Sequence, residues 1–261
     1  MSQDPVHRIQ LGPIRCSSHT ISQMLDEIRL LLRDPAIRPR SILDLNAHIF
    51  NLAWTNEALR KSLNTARIVT IDGMGVVWAC RLFGHKVPER CNSTEAFRAF
   101  ILEHNMPANK GVLVGATQPE VEAAAAEIGK VSSHCRITKA VSGFLDDEGY
   151  RKVFTEAADA DFIFLGLSTP RTQRIADIAA AVRPDAITWG IGAGTIKIFA
   201  GTMNEAPAFW RRTGLQWLYR LFEDPKNLWR RYLVGNPLFV ARILKARLKM
   251  HVKGALHGLP R

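Results

Sequence analysis

Arg67-Ile68-Val69-Thr70-Ile71-Asp72-Gly73-Met74-Gly75-Val76-Val77-Trp78-Ala79-Cys80 is the stretch that decides the fold. Residues 68–71 are all β-branched, the composition of a buried strand, and residues 76–80 open an apolar helix. Only Asp72-Gly73-Met74-Gly75, one acid and two glycines around a Met, separates them, so the strand passes straight into the helix. Working outward, the same unit recurs. Strands are predicted over 41–45, 67–71, 111–115, 136–140, 161–166 and 186–190. Helices are predicted over 20–32, 49–63, 76–82, 95–104, 119–128, 147–158 and 171–182. Alternation at this spacing makes an α/β protein, with a mostly parallel sheet and helices on both faces.

Ligands of open parallel sheets bind beyond the carboxyl ends of the strands. At that edge the chain places Asp44 and Asn46, then Asp72 and Gly73, then Gly115, Gly166, and finally Gly190 and Gly192. Glycines that let a ligand approach the backbone, with free N–H groups, suit a phosphate-bearing ligand. Asp72 has two readings: a carboxylate that takes or orients the proton of a sugar hydroxyl, or a cap for the helix behind it. Gly190-x-Gly192-x-Gly194 lacks the G-x-G-x-x-G spacing of dinucleotide sites, and reads equally as a phosphate loop or a tight turn. Asp159-Ala160-Asp161 spells the D-x-D with which many sugar-nucleotide enzymes hold a divalent cation. It precedes its strand, however, so it belongs to the opposite edge of the sheet, and no metal site is expected.

Charge is concentrated at one end. Residues 210–261 carry twelve Lys/Arg against Glu223 and Asp224, almost the whole of the chain's net +11. Trp210, Trp217, Tyr219, Phe222, Trp229, Tyr232 and Phe239 are threaded through the same segment, which is predicted as helices over 208–222, 226–234 and 238–252 punctuated by Pro225 and Pro237. Arg242, Lys245, Lys249 and Lys253 stack on one face of the last helix. Basic helices with interfacial aromatics suit an anionic membrane surface. A packed charged face or a homo-oligomer interface is the alternative, and nucleic acid is not expected because no nucleic-acid module is visible. No apolar run approaches the roughly 20 residues that span a bilayer, residues 1–5 lack the basic start of a secretory signal, and Cys16, Cys80, Cys91 and Cys135 show no C-x-x-C spacing. A cytoplasmic protein with reduced thiols, attached peripherally, is therefore expected.

With these residues in place, the chain resembles the WecG/TagA/CpsF family of bacterial glycosyltransferases. The matching stretches are Leu45-Asn46-Ala47-His48, Ile71-Asp72-Gly73-Met74-Gly75-Val76-Val77-Trp78-Ala79, Pro88-Glu89-Arg90, Phe164-Leu165-Gly166-Leu167, Gly190-x-Gly192-Ala193 and Gly214-Leu215-Gln216-Trp217-Leu218-Tyr219-Arg220-Leu221 through Arg230-Arg231-Tyr232. The likeness runs in order from about residue 40 to residue 235.

The resemblance implies a Rossmann-like catalytic core, here 1–201, and a basic, membrane-associating helical appendage, 202–261. It implies metal-independent, inverting transfer of a hexose or N-acetylhexosamine from a UDP-sugar to a polyprenyl-diphosphate-linked saccharide, without a cofactor, at the inner face of the cytoplasmic membrane, in surface or exopolysaccharide synthesis. By position Asp72 corresponds to the general base and Asn46 to a pocket residue, and Arg220, Arg230 and Arg231 fall among arginines suited to a diphosphate. Several positions depart from the family. Asp44 stands where Thr is usual, Asn92-Ser93-Thr94-Glu95 replaces Thr-Gly-x-Asp, Pro170-Arg171-Thr172-Gln173 replaces Pro-Lys-Gln-Glu around a pocket Gln, and Glu205 replaces Arg. The donor sugar is thus left open, and a divergent binding protein that kept the fold without turnover is the alternative.

Overall fold

The computed structural model describes residues 8–257, with side chains to residue 250. The amino-terminal residues 1–5, the Lys253 side chain and Arg261 lie outside the described part.

Eight strands form one sheet: β1 (Arg8–Leu11), β2 (Ile14–Ser17), β3 (Ser41–Leu45), β4 (Ile68–Ile71), β5 (Asn109–Gly115), β6 (Cys135–Val141), β7 (Phe162–Gly166) and β8 (Ile187–Gly190). Their order is β1-β2-β4-β3-β8-β7-β5-β6, parallel except for the β1–β2 hairpin. All six predicted strands are present. The hairpin escaped the sequence reading, although Gly12-Pro13 stands between two short alternating runs and Gly12 takes φ +59° at the turn.

Period-2 alternation splits the core. Leu43, Leu45, Val69, Ile71, Ile163 and Leu165 face one side, and Ile42, Ile68, Phe162, Phe164, Ile187 and Trp189 the other. On the first side lie α2 (Ala47–Thr55), α3 (Glu57–Thr65), α4 (Met74–Leu82), α7 (Asp147–Glu156) and α8 (Arg171–Val182). The second side is covered by α1 (Ile21–Arg33), α5 (Ser93–Ile101), α6 (Gln118–Val131) and α9 (Ala193–Phe199). Phe97 meets Phe164, Trp189 and Phe199 edge-on at 5.1–5.7 Å, so the second layer is locked by aromatic packing.

Where helices differ from expectation, local chemistry explains it. The helix expected over 49–63 is broken at Asn56, which ends α2 and caps α3 by accepting from Leu59 N. The one expected over 208–222 is broken at Gly214, φ +76°, into α10 (Ala208–Arg212) and α11 (Gln216–Glu223). Helix α9 was hidden by its glycines. Finally α12 (Pro225–Trp229) runs through a π-helical turn, Arg230–Val234, into α13 (Gly235–His257). Pro237 does not end the helix as expected, since it falls in the first turn of α13 directly after the widened π turn.

The carboxyl-terminal helices are docked on the sheet-bearing part. Phe239, Ile243 and Ala246 of α13 are buried in the first core layer, with Phe239 edge-on to Phe50 at 5.1 Å. Arg242 donates to the Asn51 carbonyl at 2.6 Å and lies over the Trp54 ring, so it leaves the basic stripe expected from its spacing. Lys245 and Lys249 remain exposed. Glu205 accepts from Arg98 at 2.8 Å and Arg211 at 3.2 Å, fastening the start of this segment.

Candidate active site

The connections leaving β3 and β8 travel in opposite directions, which opens a crevice at the carboxyl edge between these neighbouring strands. A cavity of about 630 Å³ lies at that edge, beyond the carboxyl ends of β3 and β4 and beside Gly194 of α9, roofed by α11, the π turn and α13.

Asp72 is on its floor. It is not a helix cap: α4 is capped by Gly73, φ +95°, and makes no side-chain cap bond. The Asp72 amide donates to the Leu45 carbonyl at 2.9 Å, continuing the β3–β4 ladder one residue past the strand. Its Oδ1 accepts from Asn92 Nδ2 at 2.9 Å. Burial raises the Asp72 pKa, while Arg90, the Asn92 bond and Arg231 pull it down and Glu95 adds to the rise. Arg90 in turn bonds both Glu95 oxygens, at 3.0 and 3.1 Å, and Gln216 Oε1 at 3.0 Å, tying the floor to α11.

Asn46 also lines the cavity. Its Oδ1 caps α2 at Ile49 N and its Nδ2 reaches Asp44 Oδ2 at 3.3 Å. Asp44 sits just behind, its pKa raised to about 7 by burial and by the Asp72 charge, against the opposing pull of Arg231. His48 is lowered to about 4 by burial and by Arg231, so it is a neutral imidazole.

Arg231 supplies positive charge from the π turn. Among the described residues it has no carboxylate within ion-pair distance, and its Nε is buried without a partner. Its guanidinium lies 5.5 Å from the centre of the Tyr232 ring, which packs on Trp217. Arg220 lines the same cavity but is engaged with Glu223 at 2.9 Å. The outer wall is apolar: Trp78 and Leu82 of α4 face Val240 and Leu244 of α13, all four exposed.

The structure thus brings Asp72, Gly73, Asn46, Arg220 and Arg231 together around one cavity, with Asp44 behind them. Other expected contacts are not part of it. A side-chain carbon on Gly115 would sit 2.3 Å from the Gly166 carbonyl, and one on Gly166 would sit 2.2 Å from Ile196. On Gly190 it would meet Thr172 at 2.9 Å. Protein side chains fill the room expected for a phosphate over these three glycines, whose smallness serves the seating of α9 and α8. Gly192 caps α9 with φ +77°. Thr172 is buried and bonds the Leu167 carbonyl, and Gln173 is buried with its amide unpartnered. Arg230 is exposed, stacked on Trp229 outside the cavity. Asp159 and Asp161 both hold Lys110 at the amino end of β7, on the far edge. In exchange, Asn92, Trp78 and Gln216 line the cavity although spacing offered no signal for them.

A model of the glycosyl transferase WecG/TagA/CpsF family matches residues 9–253. The chain belongs to this family. Similar proteins include an N-acetylglucosaminyldiphosphoundecaprenol N-acetyl-beta-D-mannosaminyltransferase of Staphylococcus aureus (strain MW2), 27% identical over 233 residues, which cover 88% of this chain and 90% of the relative. Proteins of the same name in strains NCTC 8325 / PS 47 and MRSA252 match to the same extent. The chain is accordingly a glycosyltransferase with a mostly parallel α/β fold. Among the described residues no helix is long and apolar enough to cross a membrane.

Proposed function

We infer that this glycosyltransferase moves a hexose or N-acetylhexosamine from a UDP-sugar to a saccharide carried on a polyprenyl diphosphate, in the assembly of a bacterial surface polysaccharide. One arrangement carries the reading: a half-buried carboxylate, Asp72, faces an unpaired cation, Arg231, across a cavity whose outer wall is apolar. The carboxylate suits a hydroxyl nucleophile, the cation a diphosphate, and the wall a lipid carrier. The relatives' name, with its diphosphoundecaprenol, supports the acceptor class.

In the proposed step the acceptor hydroxyl gives its proton to Asp72 as its oxygen attacks the anomeric carbon. The bond from that carbon to the UDP oxygen breaks, and UDP leaves with the electron pair. A raised pKa brings Asp72 closer to the operating pH, as a general base requires. Arg231, and amides of the α4 turn that no side chain caps, offset the charge growing on the leaving diphosphate without a metal. A single displacement of this kind inverts the anomeric centre.

The segment after residue 201 is proposed to seat the enzyme on the inner face of the cytoplasmic membrane. Ten of the sixteen large apolar side chains exposed on the described surface lie between Phe209 and Met250, interleaved with its basic residues. Incubation with a panel of UDP-sugars and a polyprenyl-diphosphate-linked N-acetylglucosamine, with EDTA present, tests the reading. Products heavier by one sugar residue are expected. Transfer that requires Mg²⁺ or Mn²⁺ would overturn the metal-free mechanism, and no product from any donor would overturn the substrate assignment.

A further inference from the structure

Asp44 has no part in the transfer step drawn above, yet its placement is specific. Strands β3 and β4 pair in register, Asp44 opposite Thr70 and Leu45 opposite Ile71. Residues 44, 46, 70 and 72 therefore share one face of the sheet, and two carboxylates stand on neighbouring strands at its edge. Their surroundings differ. Asp72 has the Asn92 amide at 2.9 Å, with Arg90 and Arg231 nearby. Asp44 has the Asn46 amide at a longer 3.3 Å and Arg231 alone for a cation.

We propose that Asp44 is a proton-holding positioning residue of the donor site: it stays a neutral acid while Asp72 is ionised, so the cavity floor carries one negative charge, which Arg231 offsets, and a diphosphate can enter. This rests on the UDP-sugar reading above. The Asp72 charge opposes ionisation of Asp44, and the carboxyl with more donors around it ionises first. The donors named above make Asp72 that carboxyl, and the second proton, on Asp44, leaves near neutrality. The charged and titratable groups around Asp44 are few. Asp72 stands at the end of β4, Arg231 on the π turn, and His48 on α2 is neutral. Tyr232 beside Arg231 has a raised pKa and stays protonated, and Arg90 and Glu95 act on Asp72. On its other flank β8 leads into Ile191, whose carbonyl accepts from Thr195 of α9, and neither residue is charged.

A diphosphate on Arg231 would neutralise the one cation that opposes protonation of Asp44, so binding should tighten Asp44's hold on its proton. Affinity then weakens as pH rises through neutrality, and binding above pH 7 takes up a proton. The test is titration calorimetry of the full chain with UDP from pH 6 to 8, in buffers of different ionisation enthalpy, for wild type and Asp44→Asn. The terminal phosphate of UDP titrates alike with both proteins and cancels in the comparison. If binding raises the Asp44 pKa by one unit, wild type loses about fivefold in affinity relative to the variant across this range and takes up about half a proton more at pH 7.5. Asp44→Ser replaces the Asn variant if the latter does not fold. Equal pH slopes and equal proton counts in wild type and variant would overturn the proposal while leaving the donor reading intact. No UDP binding by wild type would bring down the donor reading, and the proposal with it.

Discussion

Asn92 divides its side chain between structure and chemistry: Oδ1 accepts from the amides of Thr94 and Glu95 at the start of α5, and Nδ2 donates to Asp72 at 2.9 Å. Asn46 does the same one strand over, capping α2 and reaching Asp44. Asparagine can do this because its planar amide offers an acceptor and a donor side by side on one carbon. An aspartate cap would put a second negative charge against the carboxylate.

Asn92→Ala should therefore shift the pH profile as well as the rate. The lost bond favoured ionised Asp72, so its pKa rises and the acid limb of kcat/KM moves to higher pH. A charge-assisted bond is worth roughly 1.5 kcal/mol, about one pH unit, so activity on the acid limb falls about tenfold and recovers on the alkaline side of it. An unmoved acid limb would remove Asn92 from the control of Asp72. The lost α5 cap costs about 1 kcal/mol of stability besides.

Asp44→Asn should stabilise the fold in a pH-dependent way. In the folded protein Asp44 holds its proton up to about pH 7, against 3.8 for an ordinary Asp. Its favourable contribution is complete below about pH 4 and is lost as pH rises through 7. The variant's advantage should be small near pH 4 and grow to on the order of 3 kcal/mol by pH 8, worth several degrees of Tm. A constant difference in Tm between pH 5 and 8 would contradict the burial argument.

Gly214→Val tests the docking of α11. Gly214 has φ +76°, and a side-chain carbon there would lie 2.4 Å from Met74 Cγ in the first turn of α4. Strain of about 1–3 kcal/mol falls on the joint that carries Arg220 and Gln216 to the cavity. Turnover is expected to drop at least about tenfold, with unfolding of the sheet core nearly unchanged; wild-type turnover would show that α11 can be displaced without cost.

How far the site could be read from the sequence depended on chain distance. Asp72 and Asn46 stand directly after strands, so the edge rule alone found them. Asn92 lies twenty residues beyond Asp72 in the chain; only the bond from the Cys91 amide to the Ile71 carbonyl at 3.0 Å, at the end of β4, brings its side chain to the carboxylate. Glycine runs were read as room for a ligand because composition does not say what fills the space; in the folded chain Ile196 and Thr172 fill it at Gly115, Gly166 and Gly190, whereas Gly192 is open and Gly194 lines the cavity. Arg242 shows the same limit on the basic tail, since helical spacing gives a face but not what that face meets.

Vesicle flotation tests the membrane assignment. Full-length protein should float with anionic vesicles at low salt, each engaged basic residue contributing about 1 kcal/mol. High salt should release it only partly, because Trp229, Phe222, Leu244 and Leu248 are exposed and apolar contact is not screened. Leu244→Glu with Leu248→Glu should weaken flotation at every salt concentration. Protein that stays in solution at low salt would leave this face to another role.

The central claim is that Asp72 takes the proton of the acceptor hydroxyl, and comparing Asp72→Asn with wild type tests it most directly. Both are assayed for sugar transfer to the polyprenyl-diphosphate-linked acceptor and, separately, for UDP binding. Asp72→Asn is expected to lose about 100-fold or more in turnover, the usual scale for a general base, with UDP affinity within a few-fold of wild type. Turnover close to wild type in Asp72→Asn would contradict it.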